Sequence, residues 1–97
     1  MKSITAAAFA ELDREACTIL DLRDDPAGQK IAGAVCIPFA QIPMKISTLP
    51  KERPVYVLCQ TGSISREVAE ILTDRGYDAY NIEGGYAAYV VHQLTKG

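Results

Sequence analysis

The sequence predicts an α/β domain: a central parallel sheet of about five strands with helices on both faces. Three observations predict it. Short apolar runs alternate with segments whose apolar residues recur at helical spacing. One run, Val55-Tyr56-Val57-Leu58, is apolar at every position, as in a parallel strand covered above and below. The chain has 97 residues, which is one domain's worth. A chain of this size buries roughly two-thirds of its unfolded surface, enough for a core without staples. A single domain over residues 1–97 is expected, because no internal repeat, linker or low-complexity tract divides the chain.

The elements follow in order. Lys2-Ser3-Ile4 reads as a short edge strand, and Thr5 as the N-cap of a helix, since its hydroxyl can accept from a free backbone amide. Phe9, Leu12 and Ala16 recur at helical spacing with charged residues between them. Thr18-Ile19-Leu20-Asp21-Leu22 is a strand that ends in Arg23-Asp24-Asp25-Pro26. Ala34-Val35-Cys36-Ile37 reads as a second buried strand, closed by Pro38. Residues 42–49 read as a short helix stopped before Pro50. After Val55-Tyr56-Val57-Leu58, a helix is expected with Ile64, Val68, Ile71 and Leu72 inward. Its outer face would carry Ser65, Arg66, Glu67, Glu70 and Asp74. Gly76 is placed to end that helix in the left-handed conformation. Ala79-Tyr80-Asn81-Ile82 is the last strand, and Gly84-Gly85 turns the chain into a final helix with Tyr86, Tyr89, Val90 and Leu94 inward.

Composition removes several classes of function. With 48% hydrophobic and 23% charged residues, the chain is not disordered. Its net charge of -2 leaves no basic field for nucleic acid or an anionic membrane. Uncharged stretches are too short to span a bilayer, and the N-terminus lacks the apolar run of a secretory signal. A cytoplasmic protein or module is expected, as a monomer or weak homodimer. Cys17, Cys36 and Cys59 form no C-x-x-C pair, and His92 is the lone histidine, so neither a disulfide framework nor a metal is expected. No cofactor is expected either. Cys17 and Cys36 read as small buried hydrophobes, and His92 as structural or exposed. Tyr77, Tyr80, Tyr86 and Tyr89 read as packing.

Cys59 differs in position. It ends the most buried strand, and a helix starts within about five residues. A thiol there faces the free amides of the loop and of the first helical turn. Gly62 lets the loop Cys59-Gln60-Thr61-Gly62-Ser63 curl so that amides point inward, a cup of donors with sulfur at its base. An unperturbed thiol is only a few per cent ionised at pH 7. A helix dipole worth up to about 2 kcal/mol would make it roughly half ionised. No histidine base is required. Arg66, on the first turn, either draws an anion to the loop or pairs weakly with Glu70.

These residues resemble the rhodanese domain family over nearly the whole chain. Ile19-Leu20-Asp21-Leu22-Arg23-Asp24 is similar to its first signature, a strand ending in Asp-x-Arg. Ile31-Ala32-Gly33-Ala34-Val35-Cys36-Ile37-Pro38 resembles its Gly-His-Ile-Pro-Gly-Ala-x-x-Ile-Pro stretch. Val57-Leu58-Cys59-Gln60-Thr61-Gly62 resembles the active-site strand and loop, and Glu83-Gly84-Gly85-Tyr86-Ala87-Ala88-Tyr89 the Gly-Gly-x-x-x-Trp end motif. Within the family, Cys59-Gln60-x-Gly62 and Asn81-x-x-Gly84-Gly85-Tyr86-x-x-Tyr89 are most similar to rhodanese domains fused to coenzyme A-disulfide reductase-type flavoproteins.

The resemblance implies a rhodanese-like fold and a sulfurtransferase that holds sulfur as a persulfide on Cys59. Donors would be thiosulfate or another small sulfane-sulfur molecule, and acceptors a thiol or cyanide. Gln60, Thr61, Gly62, Ser63 and Ile64 would complete the binding loop, flanked by Ser65 and Arg66, with Asp21 and Arg23 supporting it from the neighbouring strand end. The alternative implied is a carrier module serving a partner or fused flavin-dependent disulfide or persulfide reductase. Gln60 and Ile64 stand where many members carry a cation, which favours a neutral or bulky donor over thiosulfate. Lys30, Ala32 and Tyr89 stand where the family often has His, Pro and Trp. A related Cys-x5-Arg phosphatase loop fits poorly, because here the spacing is Cys-x6-Arg with Ser65 at the arginine position.

Overall fold

The computed structural model describes residues 2–24 and 31–96; the expected Asp25-Pro26 turn and Lys30 lie outside them. Five strands form one wholly parallel sheet in the order β1-β5-β4-β2-β3. They are β1 (Lys2–Ile4), β2 (Thr18–Asp21), β3 (Val35–Cys36), β4 (Val55–Leu58) and β5 (Ala79–Ile82). The helices are α1 (Ala6–Ala10), α2 (Ile42–Lys45), α3 (Ser63–Asp74) and α4 (Gly85–Thr95). As the all-apolar pattern of β4 requires, it is the central strand, and each face of it feeds a separate core. Val55 and Val57 pack with Leu20, Leu22, Val68 and Leu72 beneath α3. Tyr56 and Leu58 pack with Phe9, Ile19 and Ile82 on the opposite side, where Tyr86 and Tyr89 of α4 join them. Helices on both faces are thus what the sheet needs to hide two apolar surfaces.

Local signals hold at several ends. Thr5 caps α1, its Oγ1 accepting from Ala8 N at 3.1 Å. Gly76 adopts φ +92 just after α3. Leu49 is extended ahead of Pro50. The tyrosines pack: Tyr77 O–H is buried between the Ile46 and Leu49 carbonyls, and Tyr80 stacks on Tyr56 at 4.8 Å. Tyr89 meets Phe9 edge-on at 5.7 Å.

Other expectations fail for identifiable reasons. The helix through Phe9, Leu12 and Ala16 breaks after Ala10. Asp13 accepts from Glu15 N at 3.0 Å and starts a separate 3-10 turn, Arg14–Ala16, because its side chain competes for backbone amides. Residues 42–49 likewise form α2 followed by the 3-10 turn Ile46–Thr48, not one helix. The segment expected as a buried strand at Cys36 is a two-residue edge strand, and Val35 and Cys36 are exposed; only Ile37 is buried. An edge strand has a neighbour on one side alone, so apolar composition did not ensure cover. Leu94 is exposed, because α4 packs on the five-residue α1, too short to cover its last turn. Most consequential is α3, which is rotated from the expected face. Its buried residues are Ser65, Val68, Ala69 and Leu72, while Ile64 and Ile71 are 42% and 41% exposed. A serine with buried partners can enter a core at little cost.

Candidate active site

Leu58 ends β4 and Ser63 begins α3, leaving a four-residue loop at the carboxyl end of the central strand. Gly62 takes φ +95 there, and a Cβ on it would lie 3.0 Å from Gly84 N, so the position requires glycine twice over. The resulting curl brings two amides onto one sulfur. Gly62 N donates to Cys59 Sγ at 3.1 Å and Ser65 N at 3.3 Å. The thiol itself donates to Ser65 Oγ at 3.4 Å, and Ser65 O–H donates to Asn81 Oδ1 at 2.6 Å. Burial pushes the Cys59 thiol up, but the Ser65 hydroxyl and the amides of Ser65, Gly62 and Thr61 outweigh it. The net position is below the ordinary thiol value.

α4 holds two neighbouring peptides of the same loop from the other side. Tyr86 N donates to Cys59 O at 2.8 Å and Ala87 N to Gln60 O at 3.0 Å. In a trans peptide the N–H points opposite to the C=O. Pinning these two carbonyls to α4 therefore turns the amides of Gln60 and Thr61 away from it, toward the cup. This docking needs Gly85, at φ +59, where a Cβ would sit 2.3 Å from Cys59 O. Gly84-Gly85, expected as a turn, is thus also the seat of the loop.

Asp21 and Arg23 form the next layer outward. Asp21 is fully buried, and Arg23 Nε and Nη2 grip its two oxygens at 3.0 and 2.8 Å. The Arg23 guanidinium lies 3.9 Å from the Tyr86 ring centre. The pair reaches the loop through Tyr86, whose amide holds Cys59 O. Gln60, Thr61, Ser63, Ile64 and Arg66 are exposed, so the outer rim of the loop is uncharged up to Arg66. Among the described residues Arg66 makes no ion pair with Glu70. Ser65, expected on the outer face of α3, is instead the residue that links the sulfur to Asn81. Sequence reading missed Asn81 as part of the site. The available signal was an amide side chain in the otherwise apolar strand Ala79–Ile82. Among the described residues no cluster of three His, Cys, Asp or Glu is poised for a metal, and no helix is long and apolar enough to cross a membrane. His92 lies outside this arrangement, its Nε2 buried without a partner among the described residues.

The family model of the rhodanese-like domain matches residues 5–92. The chain belongs to the rhodanese-like domain family. A Bacillus subtilis protein provisionally named as a sulfurtransferase, YtwF, is 33% identical over 93 residues, covering 92% of this chain and 90% of the relative. The thiosulfate sulfurtransferase GlpE of Tolumonas auensis is 33% identical over 85 residues, 84% of this chain and 80% of the relative. Among solved structures, reduced Bacillus anthracis CoADR-RHD superposes with a TM-score of 0.87 at 21% identity. That match covers 97% of this chain and 17% of the other, so the rhodanese-like fold also occurs there as part of a much longer protein.

Proposed function

We propose that this rhodanese-like domain is a sulfurtransferase whose working atom is Cys59 Sγ. One observation carries the reading: two backbone amides donate to a sulfur at the carboxyl end of the central strand, 3.1 and 3.3 Å away. Such a cup favours an anion without a neighbouring base. The Cys59 thiolate attacks the outer sulfur of a sulfane donor. A new S–S bond forms, the donor's own S–S bond breaks, and the leaving group (sulfite, from thiosulfate) departs with the electron pair. The resulting persulfide ends in an anionic sulfur, which the amides of the Gln60 to Ser65 loop can cradle as they cradle the thiolate. A thiol or cyanide then attacks that terminal sulfur, and the Cys59 thiolate leaves. Asp21 and Arg23 take no part in proton transfer; they brace Tyr86, which holds the Cys59 carbonyl.

The donor follows from the rim. Gln60, Thr61, Ser63 and Ile64 carry no charge, and Arg66 stands one turn into α3. Thiosulfate, named for the Tolumonas relative, carries two negative charges with no cation in the loop to meet them. A low-molecular-weight persulfide is therefore the better donor. The same rim favours a second reading, a carrier that loads once and discharges only to a partner or fused flavin-dependent reductase.

Intact-mass analysis after exposure to thiosulfate and to glutathione persulfide tests both readings. The enzyme reading expects one added sulfur atom, lost to cyanide with thiocyanate released over many cycles, and no adduct in Cys59→Ser. Loading without repeated discharge selects the carrier. No adduct from any donor removes both.

A further inference from the structure

Asn81 sits mid-sheet, between Ser3 of β1 and Val57 of β4, with its side chain on the α3 face. It is 6% exposed, and Ser65 is fully buried. A buried amide is retained where its hydrogen bonds are specified. Here they form a chain: Cys59 S–H to Ser65 Oγ, then Ser65 O–H to Asn81 Oδ1. Every proton in that chain points away from the sulfur, which suits a thiol.

A thiolate needs the opposite. When the thiol proton leaves to solvent, Sγ becomes an acceptor only, and the single Ser65 hydroxyl proton must turn toward it. That leaves Ser65 Oγ and Asn81 Oδ1, two acceptors 2.6 Å apart, with no proton between them. A carboxamide relieves the conflict by a half turn that presents Nδ2–H to Ser65 Oγ. A carboxylate has no donor to present.

We propose that Asn81 is a positioning residue for Cys59, accepting the Ser65 proton when the sulfur is a thiol and turning over to donate when it is an anion. The charged and titratable groups of the surrounding elements do not replace it. Asp21, the last residue of β2, pairs with Arg23 just beyond the strand, and its register with Leu58 puts it on the other face of the sheet. Tyr86 of α4 lies under Arg23, and Tyr80 of β5 stacks on Tyr56, both on that same face. Tyr77 is bonded to the Ile46 and Leu49 carbonyls, Asp78 pairs with Lys2, and Arg66, Glu67 and Glu70 of α3 are exposed. The proposal deepens the reading of Cys59 as the reactive atom. Alkylation and side-chain NMR report protonation rather than sulfur transfer, so the two can fail separately.

The experiment measures Cys59 alkylation by iodoacetamide against pH, read by mass spectrometry on the Cys59 peptide. Four proteins are compared: the parent, Asn81→Asp, Ser65→Ala and the double variant, with circular dichroism to confirm folding. Asn81→Asp is expected to raise the midpoint by about one pH unit, a roughly tenfold loss of rate at pH 7. That rise should shrink at least twofold when Ser65 is alanine, because the relay is then cut. No rise in a folded Asn81→Asp, or a smaller reduction in the Ser65→Ala background, overturns the proposal. Should Asn81→Asp fail to fold, the parent protein decides alone. Its Asn81 side-chain 15N resonance should titrate with the Cys59 midpoint, and a flat resonance overturns the proposal.

Discussion

Cys17 and Cys59 are hidden to nearly the same degree, 8% and 5% exposed, yet their thiols are pushed in opposite directions. Cys17 closes the 3-10 turn Arg14–Ala16, and its sulfur faces the carbonyls of Asp13 and Arg14 at 3.6 and 4.0 Å. Burial raises its pKa, and the nearby Arg14 does not reverse that. Cys59 lies at the opposite kind of end, before α3, where backbone donors converge. Burial acts upward on both, so it cannot be what separates them. Hydrogen-bond donors decide: burial keeps the proton on Cys17, whereas the Ser65 hydroxyl and the loop amides release it from Cys59.

The strongest way to break this contrast is to unseat the loop. Gly85→Ala places a Cβ 2.3 Å from Cys59 O at φ +59. Overpacking and left-handed strain together should cost about 3 kcal/mol, a fall in thermal midpoint of about 10–20 °C. Cys59 alkylation at pH 7 should drop toward that of Cys17 as the amides swing away. Gly33→Ala is the control. It has φ +81 with open space for the Cβ, so it should cost only about 1 kcal/mol and leave Cys59 alkylation unchanged. Equal effects from the two variants would show that the seat does not orient the cup.

Next in size is Arg23→Lys. It keeps a cation but loses the two-pronged grip on Asp21, so unfolding should be easier by about 1–2 kcal/mol. The pH midpoint of Cys59 alkylation should stay in place, since only burial and hydrogen bonds act on that sulfur. A moved midpoint in the folded variant would mean that Arg23 acts on the sulfur, by its charge or through the Tyr86 brace, and that the local donors do not act alone.

A subtler test uses stability alone. The Cys59 pKa is depressed by folding, so its contribution is present above the unfolded thiol value and is lost as pH falls through the folded one. The Cys17 pKa is raised, so its contribution is full below the unfolded value and is lost as pH rises through the folded one. Urea unfolding between about pH 6 and 10 should therefore show the Cys59→Ala penalty growing with pH and the Cys17→Ala penalty shrinking. Parallel curves would erase the distinction.

How far this contrast was legible in the sequence depends on which interactions each residue makes. The central strand, the loop after it and the Cys59 position rest on local pattern, and all three are visible in Val55 to Ser63. Polar type and helical spacing put Ser65 on the surface, because they carry no record of a buried partner sixteen residues away. Asn81 is illegible for the same reason from the other side. Family resemblance points to Asp21 and Arg23 as supports, but their route to the loop through the Tyr86 ring depends on α4 lying beside the residues that follow β2, which no local pattern encodes. Cys17 and Cys36 look alike in sequence, although one is buried and the other exposed. Their neighbours are equally apolar in sequence, and only strand order puts β3 at the edge.

Cys36 supplies the smallest expected effect and the sharpest limit on the comparison. It is exposed in β3, in register with Asp21, so it shares the carboxyl end of the sheet with Cys59. If accessibility governed sulfur loading, Cys36 would compete for the donor and would do so better than a cysteine 5% exposed. If donor geometry governs it, Cys36→Ser should leave the mass gain on Cys59 intact and change stability by no more than about 0.5 kcal/mol. Sulfur found on Cys36, or a halved yield on Cys59 without it, would place exposure above hydrogen-bond donors in deciding which thiol reacts.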